Sequence, residues 1–153
     1  MPSKIPAALD GLLTICRNLQ ATTLAGVDIY DGPKMDDSQN GRRIFVGYDV
    51  EGRAADGLQE WASMPRSGSA RAERMTIHCV VESSTGQTDM KGRRDDAFTI
   101  LGVIENAVKS DPTLGGAVMY ANLGETIDVR QPETAKGAIC TVFFGVYYYV
   151  RFS

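Results

Sequence analysis

The chain holds a single histidine, His78, within Met75–Glu82, a run that alternates apolar and polar residues. A histidine can act as a general base or ligate a metal. As a base for a serine nucleophile it would need a strained G-x-S-x-G elbow, which is missing. As a metal ligand it would need companions that the sequence does not supply. A structural or solvent-facing histidine is therefore expected. The paired carboxylates Asp36–Asp37 and Asp95–Asp96 are adjacent in sequence. Neighbours on a helix point apart, so neither pair reads as a shared acid–base site. Asp36 and Asp37 fit a turn, and Asp95 and Asp96 fit the start of a helix. Cys16, Cys79 and Cys140 are far apart, odd in number and without C-x-x-C spacing, which argues against both a disulfide framework and a zinc site. Each lies in an apolar-periodic segment and reads as a small buried hydrophobe, in keeping with a reducing compartment. Gly115–Gly116 and Gly124 lack the order of a phosphate-binding loop. The triplet Tyr147–Tyr148–Tyr149 could stack on nucleic-acid bases, but only Arg151 is near it in sequence. Tyrosines of a packed or interface strand need nothing further.

The elements that would position these residues follow from periodicity. Gly137–Phe152 is rich in β-branched and aromatic residues and contains no proline. Split by parity, Ala138, Cys140, Val142, Phe144, Val146, Tyr148, Val150 and Phe152 form an apolar face that predicts core contact. Ile139, Thr141, Phe143, Gly145, Tyr147, Tyr149 and Arg151 form a mixed face. A strand this long exceeds the usual ~5–6 residues, so it is expected to be central or bent, with Gly145 as the bend or bulge. Ile5, Leu9, Leu12, Leu13, Cys16 and Leu19 recur at helical spacing over Ile5–Gln20, with Pro6 in the first turn and Ser3 as a cap. A second helix is expected over Arg93–Lys109, from Ala97, Ile100, Leu101, Ile104, Ala107 and Val108. Thr88 or Asp89 would cap it, and Pro112 lies beyond its end.

Val27–Tyr30 and Arg43–Asp49 read as two strands of a hairpin with a long connection. Glu51–Glu73 shows no sustained period and reads as a long loop, functional or mobile. Trp61 either anchors it to the body or meets a partner, with anchoring preferred. Ala117–Ala121 and Ile127–Arg130 are short strand pieces, and Gln131–Lys136 is a turn. Helices separated by runs of strands predict an α+β fold: a mixed or mainly antiparallel sheet, two helices packed on it, and a long C-terminal strand. At 153 residues the chain is read as one domain, 1–153. Its net charge of −3 disfavours a general nucleic-acid binder. The start carries no signal-peptide pattern, and no apolar run is long enough to span a membrane, so a protein made in the cytoplasm is expected.

The layout resembles the tail terminator proteins of long-tailed (siphovirus-type) bacteriophages, particularly those of actinobacterial hosts. The resemblance covers nearly the whole chain. An N-terminal helix precedes a short strand and a loop. A strand, Met75–Glu82, leads into a helix carrying Arg93, Arg94, Asp96 and Ala97. That helix closes on Asp111-Pro112-Thr113-Leu114-Gly115-Gly116, followed by Ala117-Val118, and Ala138–Arg151 ends the chain. The Asp-x-Thr-Leu-Gly-Gly turn is its most specific piece, and related neck and tail-completion proteins share much of the layout. The resemblance implies a virion structural protein at the head–tail interface, not an enzyme, with no cofactor or metal. Six copies would form a homohexameric ring that caps the tail tube, stops its polymerisation and docks to the head. Its partners would be further copies of itself, the major tail tube protein and a head-side connector. Viral DNA would pass through the lumen without sequence-specific binding, and no membrane is involved. Two loops, Lys34–Gly41 and Arg53–Arg74, are expected to contact neighbours, tube or head, since long polar loops often bind. The candidate subunit or tube contact residues are Lys34, Asp36, Asp37, Arg42, Arg43, Arg53, Trp61, Arg66, Arg71 and Arg74. Unpaired sheet edges are a second candidate.

Overall fold

The structure is a computed structural model that describes residues 3–33, 40–64, 68–85, 88–134 and 137–152. Among the described residues two α-helices, α1 (Ile5–Asn18) and α2 (Met90–Ser110), accompany eight strands. These are β1 (Asp28–Asp31), β2 (Arg42–Val46), β3 (Ala55–Met64), β4 (Gly68–Ser84), β5 (Tyr120–Leu123), β6 (Asp128–Arg130), β7 (Glu133–Thr134) and β8 (Gly137–Phe152). The fold is α+β, with both helices on one face of a mixed sheet and β8 as its long C-terminal strand.

The centre of the sheet is the antiparallel pair β4–β8, in unbroken register from Arg71↔Phe152 to Ser84↔Ile139. Strand order is β1-β2-β4-β8-β5. On its other edge β4 carries two strands end to end: β3 opposite 68–77 and β2 opposite 79–83. On the outer edge of β8, β5 flanks Val146–Tyr149 and β6 flanks Thr141–Phe143. The predicted apolar parity of β8 holds at every position: Ala138, Cys140, Val142, Phe144, Val146, Tyr148, Val150 and Phe152 are all buried. They meet Met75, Ile77, Cys79 and Val81 of β4, Ala8, Leu12, Leu13 and Cys16 of α1, and Ala97, Ile100, Leu101, Ile104 and Val108 of α2. All three cysteines are free and buried. Burial pushes the Cys16 thiol up to about 12 and raises Cys79 as well, which suits apolar packing rather than reactivity.

Several expectations are corrected. β1 and β2 pair in parallel, Asp28↔Arg43 to Asp31↔Val46, so they are not a hairpin. Parallel neighbours need a returning connection, and periodicity carries no information about direction. Glu51–Glu73 is not a loop. Most of it is β3 and the first part of β4, paired from Ala55↔Ile77 to Met64↔Gly68. The apolar alternation fails on β3 because polar Gln59 sits on its helix-side face while Leu58 lies exposed on the other. Its ladder bonds, rather than a greasy face, define it as a strand. Gly145 is not a bulge, since the β4–β8 register passes straight through it opposite His78. It is glycine because a Cβ there would lie 2.4 Å from the Thr76 methyl.

Helix α2 starts at Met90, earlier than expected, and Asp89 caps it by accepting from the Gly92 N–H at 2.9 Å. Asp95 and Asp96 therefore lie beyond its first turn. In α1, Ser3 Oγ accepts from the Ile5 N–H at 3.1 Å, but Lys4 is the N-cap residue. The strand pieces near Ala117 and Ile127 begin slightly later, at Tyr120 and Asp128, and the expected turn at Gln131–Lys136 contains β7, paired with the start of β8.

After α2 the Asp111–Gly116 turn is held by its own side chains. Asp111 accepts from Thr113 Oγ1 at 2.8 Å and from the Gly115 N–H at 2.9 Å, and Thr113 Oγ1 accepts from the Gly116 N–H at 3.1 Å. Gly115 and Gly116 take the left-handed φ values of 73° and 89° that glycine tolerates. Leu114 adopts φ 50°, uncommon for a non-glycine residue, and its side chain is buried in the core. The turn thus plugs one end of the helix layer and sends the chain back to the sheet.

Candidate functional site

Among the described residues no helix covers the second face of the sheet. Along β4 it carries Arg74, Thr76, His78, Val80 and Glu82; along β8, Thr141, Phe143, Gly145, Tyr147 and Tyr149. A small apolar cluster of Tyr30, Phe45 and Val80, with Tyr48 and Phe143 packed against it, occupies one end. At the other end Tyr120 of β5 stacks on Tyr149, centroids 5.4 Å apart, and lies tilted against Tyr147 at 6.3 Å. Arg74 lies over the Tyr149 ring at 5.4 Å and Arg130 over Phe143 at 5.2 Å. Burial, with the Tyr120 hydroxyl beside it, pushes the Tyr147 phenol up.

Between these ends lies a depression of about 370 Å³, lined by residues including Asp49, Arg53, Asp56, His78, Glu125 and Asp128. Its floor is where β2 leaves β4 and β3 joins it. The His78 carbonyl accepts from Gly47 and Tyr48 N–H at 2.8 and 3.0 Å, and the His78 N–H donates to the Ala54 carbonyl at 2.9 Å. The turn between is wound around Asp49, whose Oδ1 accepts from the Glu51 and Arg53 N–H groups at 2.8 and 2.7 Å. Arg53 Nε donates to Asp49 Oδ2 at 2.8 Å, and Arg53 Nη1 reaches Asp56 Oδ2 at 3.3 Å. Asp56 Oδ1 in turn lies 2.7 Å from His78 Nε2. Burial works against the Asp49 charge, but the Arg53 and Glu51 bonds prevail and hold its carboxyl below the usual range.

Chemically this is a row of alternating charges ending in an imidazole. Asp56 orients His78, as a carboxylate orients a catalytic base, yet among the described residues the hydroxyls that line the depression are Thr76 and Thr126, and neither is bonded to His78. Four carboxylates against one guanidinium favour an amino or other cationic group over a phosphate. No group of three or more His, Cys, Asp or Glu side chains among the described residues could hold a metal ion.

The predicted contact residues divide between the two faces. Arg43, Arg53 and Arg74 stand on the uncovered face, with Arg43 bonded to Glu82 at 3.2 Å across the β2–β4 ladder. Arg42 and Arg71 belong to the helix side. Arg42 makes a two-bond pair with Asp96 of α2, both at 3.0 Å, which Ser83 joins at 2.7 Å. Arg71 lies over the Phe152 ring at 4.7 Å. Trp61 falls on β3 opposite Arg71 in the register. Lys34, Asp36, Asp37 and Arg66 lie outside the described residues. Most of the Arg53–Arg74 segment, expected as a contact loop, is instead β3 and the first part of β4, where Arg71 and Arg74 are strand residues, while Arg53 belongs to the turn before β3.

Sequence reading missed Asp56, Arg130 and Tyr120 as members of this face. Only the ladder registers place them there, and no local pattern signals it. It also missed Glu73, which is fully buried on the helix side of β4. Glu73 accepts from the Tyr148 hydroxyl, from Gln59 Nε2 at 2.6 Å and from the Lys4 N–H at 3.0 Å, so it satisfies an otherwise orphaned backbone donor at the start of α1. Tyr148 and His78, both weighed as chemistry-bearing residues, therefore lie on opposite faces and cannot share a site. No helix of the described chain is long and apolar enough to cross a membrane. Neither a scan against protein-family models nor a search of the curated proteins finds a match for this chain.

Proposed function

We propose that this chain is a virion structural protein: a tail terminator whose copies, six by resemblance, close into a ring that caps the phage tail tube, ends its polymerisation and presents the head-docking surface. The observation that carries this reading is the order of parts. Helix α2 closes on the Asp111–Gly116 turn, the chain returns through short edge strands, and the long strand β8 ends it beneath both helices. That is the layout the tail-terminator resemblance implies. The reading needs no catalysis. Its partners are further copies of the chain, the tube protein and a head-side connector, and the DNA that passes through is not held. A mildly acidic chain suits that passage, because affinity for DNA grows with the number of phosphates that cations neutralise.

The test is light scattering and electron microscopy of the purified protein, alone and mixed with tail tubes. Annular particles that cap one end of the tube are expected. A protein that stays monomeric at high concentration and ignores tubes would overturn the reading. Binding to the connector alone would move the protein to another head–tail joining role of similar fold.

One observation favours a second reading, a small-molecule binder: the carboxylate-lined depression around His78. Titration with small amines, compared between the native chain and Asp56→Asn, decides it. Heat or shift perturbations that vanish in the variant would support this reading, and their absence would remove it.

A further inference from the structure

Among the described residues the sheet has three free margins, the outer edges of β1, of β3 and of β5–β6, and the last two flank the central β4–β8 pair directly. Among the described residues, β3 pairs only with β4, and β5 and β6 pair only with β8. The outer edges of β3 and of β5–β6 therefore bound the sheet on opposite sides. The His78–Ala54 bond sets the alternation of the β3–β4 ladder, so Gly57 and Gln59 turn their backbone N–H and C=O outward. Such a row of unpaired groups is a template for another strand.

Direction matches first. Strand β3 runs antiparallel to β4, β4 to β8, and β8 to β5 and β6. The two margins thus run in opposite senses. A second copy, rotated about an axis roughly along the strands, would bring its β3 beside β5 as an antiparallel neighbour, the same geometry as the ladders within each copy. Level matches over four residues: Ala55–Leu58 of β3 and Tyr120–Leu123 of β5 both lie level with Val146–Tyr149 of β8, while β6 lies level with β2. Apolar exposure is concentrated at the same places. Of the seven large apolar side chains exposed among the described residues, Leu58 lies on β3, and Met119, Tyr120, Ile127 and Val129 lie on or beside β5 and β6.

Charge decides between the two ways of joining copies. Asp56 and Glu60 are the charged residues of β3, and both are negative, Asp56 paired with Arg53 at 3.3 Å and Glu60 with Arg74 at 3.9 Å. Pairing β3 with its own counterpart would set like charges across the joint, which is destabilising. Strand β5 is uncharged, and β6 carries Asp128 bonded to its own Arg130 at 3.1 Å, so a β3–β5 joint avoids that repulsion. The geometry points to a head-to-tail joint in which β3 of one copy extends the sheet of the next along its β5 margin. Such a contact uses two different surfaces, so it repeats until the rotation closes. It rests on the ring reading above and names the surfaces that make the ring.

Cysteine crosslinking tests the joint, with little background because the three native thiols are buried. Cysteine is placed at exposed positions of β3 (Leu58→Cys or Glu60→Cys) and of β5 (Tyr120→Cys or Asn122→Cys), singly and in the four cross-margin pairs. After mild oxidation, at least one pair should give a ladder of covalent multimers on a non-reducing gel, and every single variant should stay monomeric. Covalent dimers from a β3 variant alone would replace this joint with a two-fold β3–β3 contact and overturn it. Rings seen by microscopy with no crosslink in any pair would overturn the joint while leaving the ring standing. No rings and no crosslinks would remove both.

Discussion

The two faces of one sheet teach different lessons. On the helix side, alternate residues of β4 and β8 are apolar, buried and packed against α1 and α2. Glu73, the one carboxylate buried there among the described residues, has donors on both oxygens. On the uncovered side the same two strands carry tyrosines, arginines, carboxylates and a histidine, arranged as cation–ring contacts and ion pairs. The first arrangement holds the domain together, because burial of apolar area is the main favourable term in folding. The second adds little to stability, since half-exposed ion pairs contribute only about 0–1 kcal/mol. It is therefore free to be shaped by whatever the protein meets.

Neighbouring residues of β4 give the sharpest way to break this contrast. Ile77→Ala, at a fully buried position, should lower the unfolding free energy by about 2–5 kcal/mol. His78→Ala, one residue on and facing the other way, should change it by less than about 1 kcal/mol. Urea unfolding of both variants measures the difference, and equal losses would mean that the uncovered face carries stability after all.

Gly145 joins the two central strands, and Gly145→Ala should cost about 1–3 kcal/mol through overpacking, because the new methyl would collide with Thr76. Adding Thr76→Ala should recover most of that loss in a double-mutant comparison. No recovery would mean that backbone conformation, not the close approach, demands glycine there.

Tyr148→Phe leaves its aromatic packing in place but removes one donor from buried Glu73, and should cost about 1–3 kcal/mol. Tyr149→Phe, on the uncovered face, should stay within about 0.5 kcal/mol of the native chain. Both can be read from thermal or urea midpoints.

Acid sharpens the comparison further. Burial alone would raise the Glu73 carboxyl, but bonds from Tyr148, Ser3, Gln59 and the Lys4 N–H hold it below its ordinary value. The unfolded chain then takes up the proton more readily than the folded one. This contribution is present above the ordinary glutamate value of 4.5 and is lost as pH falls through the folded value. Glu73→Gln should therefore be less stable than the native chain at neutral pH, with a shallower loss of stability between pH 5 and pH 3, about the range in which carboxylates titrate. Identical acid limbs for the two proteins would show that other carboxylates, Asp49 among them, control that range.

How much of this could be read in advance depended on whether a local pattern existed. Strand β8 was legible residue by residue, because a long run buried on one side shows its period directly. The helices were legible for the same reason: Asp89, one of the two expected caps, does cap α2, although the helix starts at Met90 rather than Arg93. The β3–β4 hairpin was not, because Leu58 and Gln59 are both exposed although they lie on opposite faces, so this part of β3 has no buried face to show a period. The tyrosine triplet seemed to lack cations because Arg74 and Arg130 are distant in sequence, and only strand pairing brings them to the rings at Tyr149 and Phe143.

The residue order by itself determined which side of each central strand is greasy, where the two helices lie and where Pro112 and the glycine pair turn the chain. Those features follow from side-chain type and spacing over a few neighbours. Tertiary structure alone decided that β1 and β2 run in parallel, that five arginines divide between opposite faces, and that Asp56 meets His78 while Glu73 meets Tyr148 and the start of α1. Each is set by the register and direction of backbone ladders between distant segments, and hydrogen bonds between peptide groups are blind to the side chains that a sequence displays.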